Sequence, residues 1–182
     1  MYHLENPRVG ASWPNFGLYE LASKYVRVLF DGAGADELFG GYHWRYAEPE
    51  YKNVLSRTGQ WGPICQQLMD DTIGTDSIYD RYKIDAEWFL SGVLEVVDKL
   101  SMAHSVEVRV PFLDNDLVDF AVTIPAEYKS GKQVLKDAFA DALPQEIISG
   151  PKKGFTSPDW LTSDGDTQAQ RWNNEAINQL TK

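Results

Sequence analysis

The stretch DGAGADELFGGY, Asp31 to Tyr42, follows directly on VRVLF, Val26 to Phe30. That run has the length and β-branched content of a buried strand, and it stops at Gly32 and Gly34, glycines one residue apart. A strand that breaks at a Gly-x-Gly turn and enters a helix leaves bare backbone N–H groups at its carboxyl end. The helix N-terminus there carries about half a positive charge, so such a turn suits a phosphate or another anion. Asp36 and Glu37 fall in the first helical turn, where carboxylates can hold a hard cation such as Mg2+. Each feature also has a plain structural reading. Glycine often does no more than supply a positive φ, and acids suit any helix start by matching its dipole. The turn alone does not decide.

Composition narrows the field. A chain of 182 residues is long enough for one domain with a real core, and its 6 Trp and 9 Tyr mark a globular protein. The net charge of −10, from 17 basic against 27 acidic residues, argues against nucleic acid or an anionic membrane as the main partner. A bound nucleotide would need its lysines gathered locally. The single cysteine, Cys65, excludes an intrachain disulfide and a multi-cysteine zinc site, and reads as a buried thiol. His3, His43 and His104 show no ligand spacing. With no signal peptide or membrane-length apolar run, a reducing cytoplasm is the expected location.

Around the turn, Tyr2 to Asn15 is punctuated by Pro7, Gly10 and Pro14 and reads as loop. Phe16 to Tyr25 places Leu18, Leu21, Ala22 and Tyr25 on one helical face. Helix, buried strand, glycine turn and helix make an α/β fragment of parallel type. No second strand of the same quality follows, so the sheet partners are expected before residue 1 or on another chain, and the chain reads as cut. Trp44, Tyr46 and Tyr51 precede a polar connection (Ser56 to Pro63) and a short helix at Ile64 to Asp71. Asp76 or Ser77 caps the next piece. The strongest helix runs from Asp85 to His104, with Phe89, Val93, Val96 and Leu100 as its stripe and Glu95, Asp98 and Lys99 on its wetter edge. Pro111 ends it, Asp114 caps Asn115 to Ile124, and further helices are expected at Lys132 to Leu143, Gln145 to Ser149 and Asp166 to Leu180. The fold class is α/β, mostly helical.

Charged residues outside helix stripes carry two readings each. Lys152 and Lys153 lie on the loop GPKKGF, Gly150 to Phe155; they suit a point-charge clamp for phosphate, and equally a solvated surface. Glu107 and Arg109 fall on one side of an extended, apolar segment. There Arg109 is expected to pair with Glu107 or Asp114.

Three stretches together resemble the synthetase domain of glutamine-dependent asparagine synthetases. DGAGADELFGGY is similar to that family's Ser-Gly-acid-Gly-Ala-Asp-Glu-Leu-Phe-Gly-Gly-Tyr motif. VVDKLSMAHSVEVRVPFLDNDLVDFA (Val96 to Ala121) is similar to its Ser-Met-Ala-His-Ser…Pro-Phe-Leu-Asp segment, and LPQEIISGPKKGF (Leu143 to Phe155) to its Pro-Lys-Lys-Gly-Phe loop. The resemblance covers most of Tyr2 to Pro158. It implies a pyrophosphatase-loop, adenine-nucleotide α-hydrolase-like domain with a helical carboxyl-terminal portion. It also implies a carbon–nitrogen ligase of asparagine biosynthesis. Such an enzyme uses ATP to adenylate the side-chain carboxylate of aspartate and releases pyrophosphate. Ammonia, drawn from glutamine by a glutamine amidotransferase domain, then attacks. On the matching positions, Asp31, Gly32, Ala33 and Gly34 would line the ATP site together with Lys153. Asp36, supported by Glu37, would hold Mg2+ and pyrophosphate, and Lys152 would contact the transferring phosphate. Glu107, Arg109 and Asp114 would be scaffold.

The chain departs from the family pattern at two places. Ala33 stands where the family usually has an acid thought to assist adenylate formation, and Asp31 replaces its usual serine. The upstream loop that grips pyrophosphate and the amino-terminal glutaminase domain have no counterpart in these residues. The isolated chain is therefore expected to bind ATP poorly and to make no asparagine. Two alternatives stay open: an adenylating amide-bond cyclase acting on another carboxylate, and a non-catalytic fragment that binds a partner or forms a homodimer through its open strand edge.

Overall fold

The computed structural model describes residues 2–4, 12–42, 46 and 77–152. Expectations for Cys65, His43, Trp44, Tyr51, the segment 56–71, Asp76, Lys153 and the tail lie outside the described residues. The described part is mostly helical with a small parallel sheet. It falls into two compact units, one built from residues up to Asp31 with Leu94–Arg109, the other from Gly32–Val93 with Val110–Lys152.

In the first unit, α1 (Ser12–Ala22) begins earlier than its apolar stripe suggests. Pro14 is the reason: within the first turn the missing N–H has no helical partner to lose. Tyr19 is buried in this helix, at 2% exposure. β1 (Val28–Phe30) is shorter than the run that contains it, and it is not the buried strand its composition suggests. Val28 is 44% and Phe30 78% exposed, and Leu29 alone turns partly inward. A strand is buried on both faces only where layers cover both, and here the sheet has two strands among the described residues. A partner strand lies downstream in the same chain, which the sequence reading did not place. β2 (Glu107–Arg109) pairs in parallel with the register Val28↔Glu107, Leu29↔Val108 and Phe30↔Arg109. The Asp31 N–H extends the ladder by donating to the Arg109 carbonyl at 2.8 Å. The Arg109 side chain pairs with Glu107, Nη2 to Oε1 at 2.9 Å, on an exposed face.

The second unit is organised by caps. Ser77 and Asp80 form a reciprocal capping box that starts α3 (Ile78–Ile84). The chain then passes through a π turn, Asp85–Phe89, into α4 (Leu90–Met102), which from Leu94 on belongs to the first unit, so the helical run read from Asp85 starts a full element sooner. Asp114 Oδ1 accepts from the N–H groups of Asp116 and Leu117 and starts α5 (Asn115–Thr123). Next come α6 (Ala126–Lys129), the 3-10 turn Ser130–Lys132, α7 (Gln133–Ala138) and α8 (Gln145–Ser149). Among the described residues two apolar clusters hold this unit. Leu38, Phe39, Ala121 and Ile124 form one, with Phe112, Leu113 and Leu117 packed against it. Tyr46, Tyr82, Ile84 and Ala126 form the other. The first holds the carboxyl end of α2 (Ala35–Leu38) through Leu38 and Phe39, and Tyr42, after the glycine pair, packs against the second. Among the described residues no helix is long and apolar enough to cross a membrane.

Candidate functional site

The glycine turn enters a helix of a single turn, α2, not a long one. Gly34 caps it with φ +91°, and a Cβ there would lie 2.4 Å from the Leu113 side chain, so both conformation and space demand glycine. Four residues cannot build the macrodipole of a long helix, so the anion affinity expected from the helix start has little basis here. Positive charge reaches the turn by another route.

Asp36 and Glu37 are neighbours in α2, so their side chains leave the helix in different directions. Asp36 stays partly exposed, and its Oδ1 accepts from Lys152 Nζ at 2.6 Å and from Lys132 Nζ at 2.9 Å. Glu37 turns inward and is 3% exposed. Tyr42 Oη donates to Glu37 Oε1 at 3.0 Å. Burial pushes the Glu37 carboxyl up from the usual carboxylate range. Its own backbone N–H and the Tyr42 hydroxyl pull it back in part, while the charges of Asp36 and Asp85 add to the rise. Asp85, fully buried in the π turn, accepts from Tyr46 Oη at 2.7 Å, and the Arg81 guanidinium donates to the Tyr46 carbonyl.

The structure thus brings together Asp36 and Lys152, which are 116 positions apart. Gly32, exposed, and Ala33, half-buried, lie on the approach to α2. Asp31 is half-buried beside Arg109 in the other unit. Lys153 lies outside the described residues.

Lys132 is the functional candidate that sequence reasoning missed, because it was read only as the first residue of a helix. It is instead the N-cap of α7, in the left-handed region with φ 63° and ψ 31°, next to Gly131 at φ 66°. A left-handed lysine at the cationic end of a helix is doubly unfavourable. Placing a cation just ahead of a helix start, after Ser130 and Gly131, is the signal that could have singled it out. The Gly131 N–H donates to the Gly40 carbonyl at 3.0 Å, which docks this turn against the glycine pair following α2.

Chemically, two ammonium groups on one carboxylate oxygen leave a local net charge of about +1 in an acidic chain. Such a cluster suits a polyanion. Magnesium takes most of its ligands from water and phosphate and asks the protein for one or two carboxylates. Asp36 fits that demand, since a carboxylate has about four acceptor positions and the lysines occupy two of them. Glu37 does not fit as a direct ligand, because it is buried and bonded to Tyr42. Among the described residues no group of three or more His, Cys, Asp or Glu offers a different metal site.

Comparison with known proteins identifies the family. The asparagine synthase family model matches residues 1–181. The asparagine synthetase (glutamine-hydrolyzing) of Gallus gallus is 30% identical over 169 residues, covering 86% of this chain and 26% of that protein. That of Mesocricetus auratus is 30% identical over 176 residues, covering 90% and 27%. Asparagine synthetase (glutamine-hydrolyzing) 1 of Bacillus subtilis (strain 168) is 26% identical over 230 residues, covering 90% and 36%. The chain therefore spans between a quarter and about a third of the length of these curated relatives. With a family match over nearly its whole length, the chain belongs to the asparagine synthase family.

Proposed function

We propose that the chain forms part of an ATP-dependent synthetase that converts aspartate to asparagine, built on a pyrophosphatase-loop nucleotide domain. The observation that carries this reading is the shared oxygen of Asp36, held by Lys132 and Lys152 at the mouth of the glycine turn. In the proposed reaction an oxygen of the aspartate side-chain carboxylate attacks the α-phosphorus of ATP. The bond to the β-phosphate oxygen breaks and pyrophosphate leaves with its electron pair. Ammonia then attacks the acyl carbon, AMP leaves, and a proton is released. Both steps bring anions together, and the protein's task is to neutralise them where charge builds up. Lys152 faces the transferring phosphate, and Lys132 faces the departing pyrophosphate. Asp36 holds the two ammonium groups side by side and provides the carboxylate for magnesium, which when bound supplies further neutralisation of phosphate charge. Glu37 supports the site from within, and Gly32 and Ala33 leave room for the nucleotide beside the turn.

The relatives are named as glutamine-hydrolyzing, which supports glutamine as the ultimate ammonia source. We read the chain as the carboxyl-terminal part of the synthetase domain, with the pyrophosphate-gripping loop and the glutaminase supplied by other segments. On this reading isothermal titration of the 182 residues with Mg-ATP gives weak binding, and micromolar affinity would contradict it.

The test of the function is ATP–pyrophosphate exchange by the intact protein with aspartate. Lys152→Ala and Lys132→Ala are each expected to lower exchange by about 10²–10³-fold, the range for removing one preorganised charge stabiliser. Exchange unaffected by either change would refute the reading. Ala33, standing where the family carries an acid, favours a second reading, an amide-bond cyclase that adenylates another carboxylate. Exchange stimulated by carboxylates other than aspartate, and not by aspartate, would select it.

A further inference from the structure

Lys152 sits at the end of a long flexible side chain, on a loop reached from α8 through Gly150 and Pro151. An ammonium on such a stem has many rotamers, and a single carboxylate does not fix its direction. A second group does touch it. Lys152 Nζ lies 5.4 Å from the centroid of the Tyr42 ring, within the range of attraction between a cation and an aromatic face. The ring is itself held at both ends. Its hydroxyl donates to the buried Glu37 at 3.0 Å, and Phe89 of the π turn packs edge-on against it, centroids 5.9 Å apart at 87°. Tyr42 is half-buried, so its ring is fixed on one side and reaches the lysine on the other.

We propose that Tyr42 is a positioning residue for Lys152: its ring fixes where the loop lysine stands beside Asp36, and Glu37 and Phe89 fix the ring. The inference rests on the reading of Lys152 as the phosphate-facing lysine. It assigns work to the last residue of the glycine motif, and it gives the inward turn of Glu37 a purpose. Glu37 acts through Tyr42 on the position of a cation it does not touch.

The readout is the proton shift of the Lys152 ε-methylene in the full chain, followed by NMR with labelled lysine and assigned through Lys152→Arg. A lysine beside an aromatic face shows an upfield ring-current shift. That shift is expected in the parent protein, retained in Tyr42→Phe and lost in Tyr42→Leu. Phe89→Leu, which leaves Tyr42 in place but unsupported, is expected to reduce it in part and serves if Tyr42→Leu does not fold. In ATP–pyrophosphate exchange by the intact protein, Tyr42→Leu is expected to fall about tenfold and Tyr42→Phe about threefold or less, the scale of one cation–aromatic contact. A Lys152 shift that is unperturbed in the parent protein, or unchanged in both Tyr42→Leu and Phe89→Leu, overturns the proposal. If the shift is present while Lys152→Ala leaves exchange intact, the placement stands and the functional reading fails. If the shift is absent while Lys152→Ala abolishes exchange, the placement fails and the functional reading stands.

Discussion

The glycine pair after α2 separates folding from chemistry within two adjacent positions. A Cβ added at Gly41 would lie 1.8 Å from Asp36 Oδ1 and 2.6 Å from Lys132 Cε. Its backbone is not in the left-handed region, so alanine can adopt it, and the atoms in the way are the ends of side chains. The carboxylate oxygen must then retreat by roughly 1.2 Å to reach a tolerable contact, and it is the atom that both lysines share. Displacing a group in a reaction centre by about 1 Å costs on the order of 10²-fold in rate. Loosening partly exposed ion pairs costs about 0–1 kcal/mol of stability. Gly41→Ala is therefore expected to lower ATP–pyrophosphate exchange by about 10²-fold with little change in unfolding midpoint.

Gly40 gives the opposite result for a physical reason. Its φ is +67°, and a Cβ would lie 2.9 Å from the Lys129 carbonyl oxygen, which is backbone, and 2.9 Å from Tyr82 Oη. Left-handed backbone costs an alanine about 1–2 kcal/mol, and crowding against atoms that cannot yield adds about 1–3 kcal/mol. Gly40→Ala should therefore lose roughly 2–5 kcal/mol in denaturant unfolding of the same protein. The reasoning fails if Gly41→Ala keeps exchange within about threefold of the parent. It fails equally if Gly41→Ala unfolds as readily as Gly40→Ala, since the two residues would then share one structural role.

Tyr46→Phe removes the hydroxyl that donates to the fully buried Asp85 and is expected to destabilise the fold by about 1.5–3 kcal/mol, as a hydrogen bond to a charged group should; chemical denaturation measures it, and a loss under about 0.5 kcal/mol would mean that Asp85 is satisfied without it. The Tyr19 hydroxyl is buried with no hydrogen-bond partner among the described residues, and burial, with the charge of Asp31 adding, pushes it up from 10.0 to about 12. The folded state keeps this proton longer than the unfolded chain does, so the contribution is fully present below pH 10 and is lost as pH rises towards 12. Tyr19→Phe should flatten that decline and raise stability by about 1 kcal/mol at neutral pH; superimposable stability–pH curves would refute both statements. Arg109→Ala breaks an ion pair whose side chains are more than half exposed, so it should change stability by less than about 1 kcal/mol, and a larger loss in thermal unfolding would show that the pair organises the β1–β2 ladder.

What could be read from the sequence followed from how local each cause is. Ser77 and Asp114 are helix caps, and a cap depends on residues two or three positions away; both stand where expected. α8 runs from Gln145 to Ser149 as read, because Pro144 and Gly150 bound it. β2 was not recognised as the partner of β1. It is three residues long and two of them are charged, so its strand character comes from pairing with Val28–Phe30 rather than from composition. The exposure of β1 was illegible for the same reason, since burial depends on what covers a strand. At the site, Asp36 and Lys152 stood out through their motifs. Lys132 did not, because its place is set by two consecutive left-handed residues, and the helix read as starting at Lys132 in fact starts one residue later. Tyr42 was visible as a motif residue, but its contact with Lys152 joins positions that only the fold brings together.

The shared oxygen of Asp36 also explains why an acidic protein would keep a carboxylate where it needs positive charge. Lys132 Nζ and Lys152 Nζ each lie within 3 Å of one atom, so the ammonium groups stand less than 6 Å apart. At that separation two unit charges repel by about 3 kcal/mol at an effective dielectric of 20, and water around these partly exposed groups reduces that figure further. Left alone, the lysines would swing apart, each on a stem with several rotamers to use. Asp36 cancels the repulsion and holds both cations at the turn, at the expense of one unit of local charge. On the proposed reading, a polyphosphate arriving there would meet ammonium groups already gathered, so less of its binding energy would be spent on ordering them. On that reading the carboxylate would not be an obstacle to anion binding but the reason the cations are in place before the anion comes. Lys132 is held there in a backbone conformation that lysine rarely adopts, and such local strain belongs where the position of one side chain matters more than its ease.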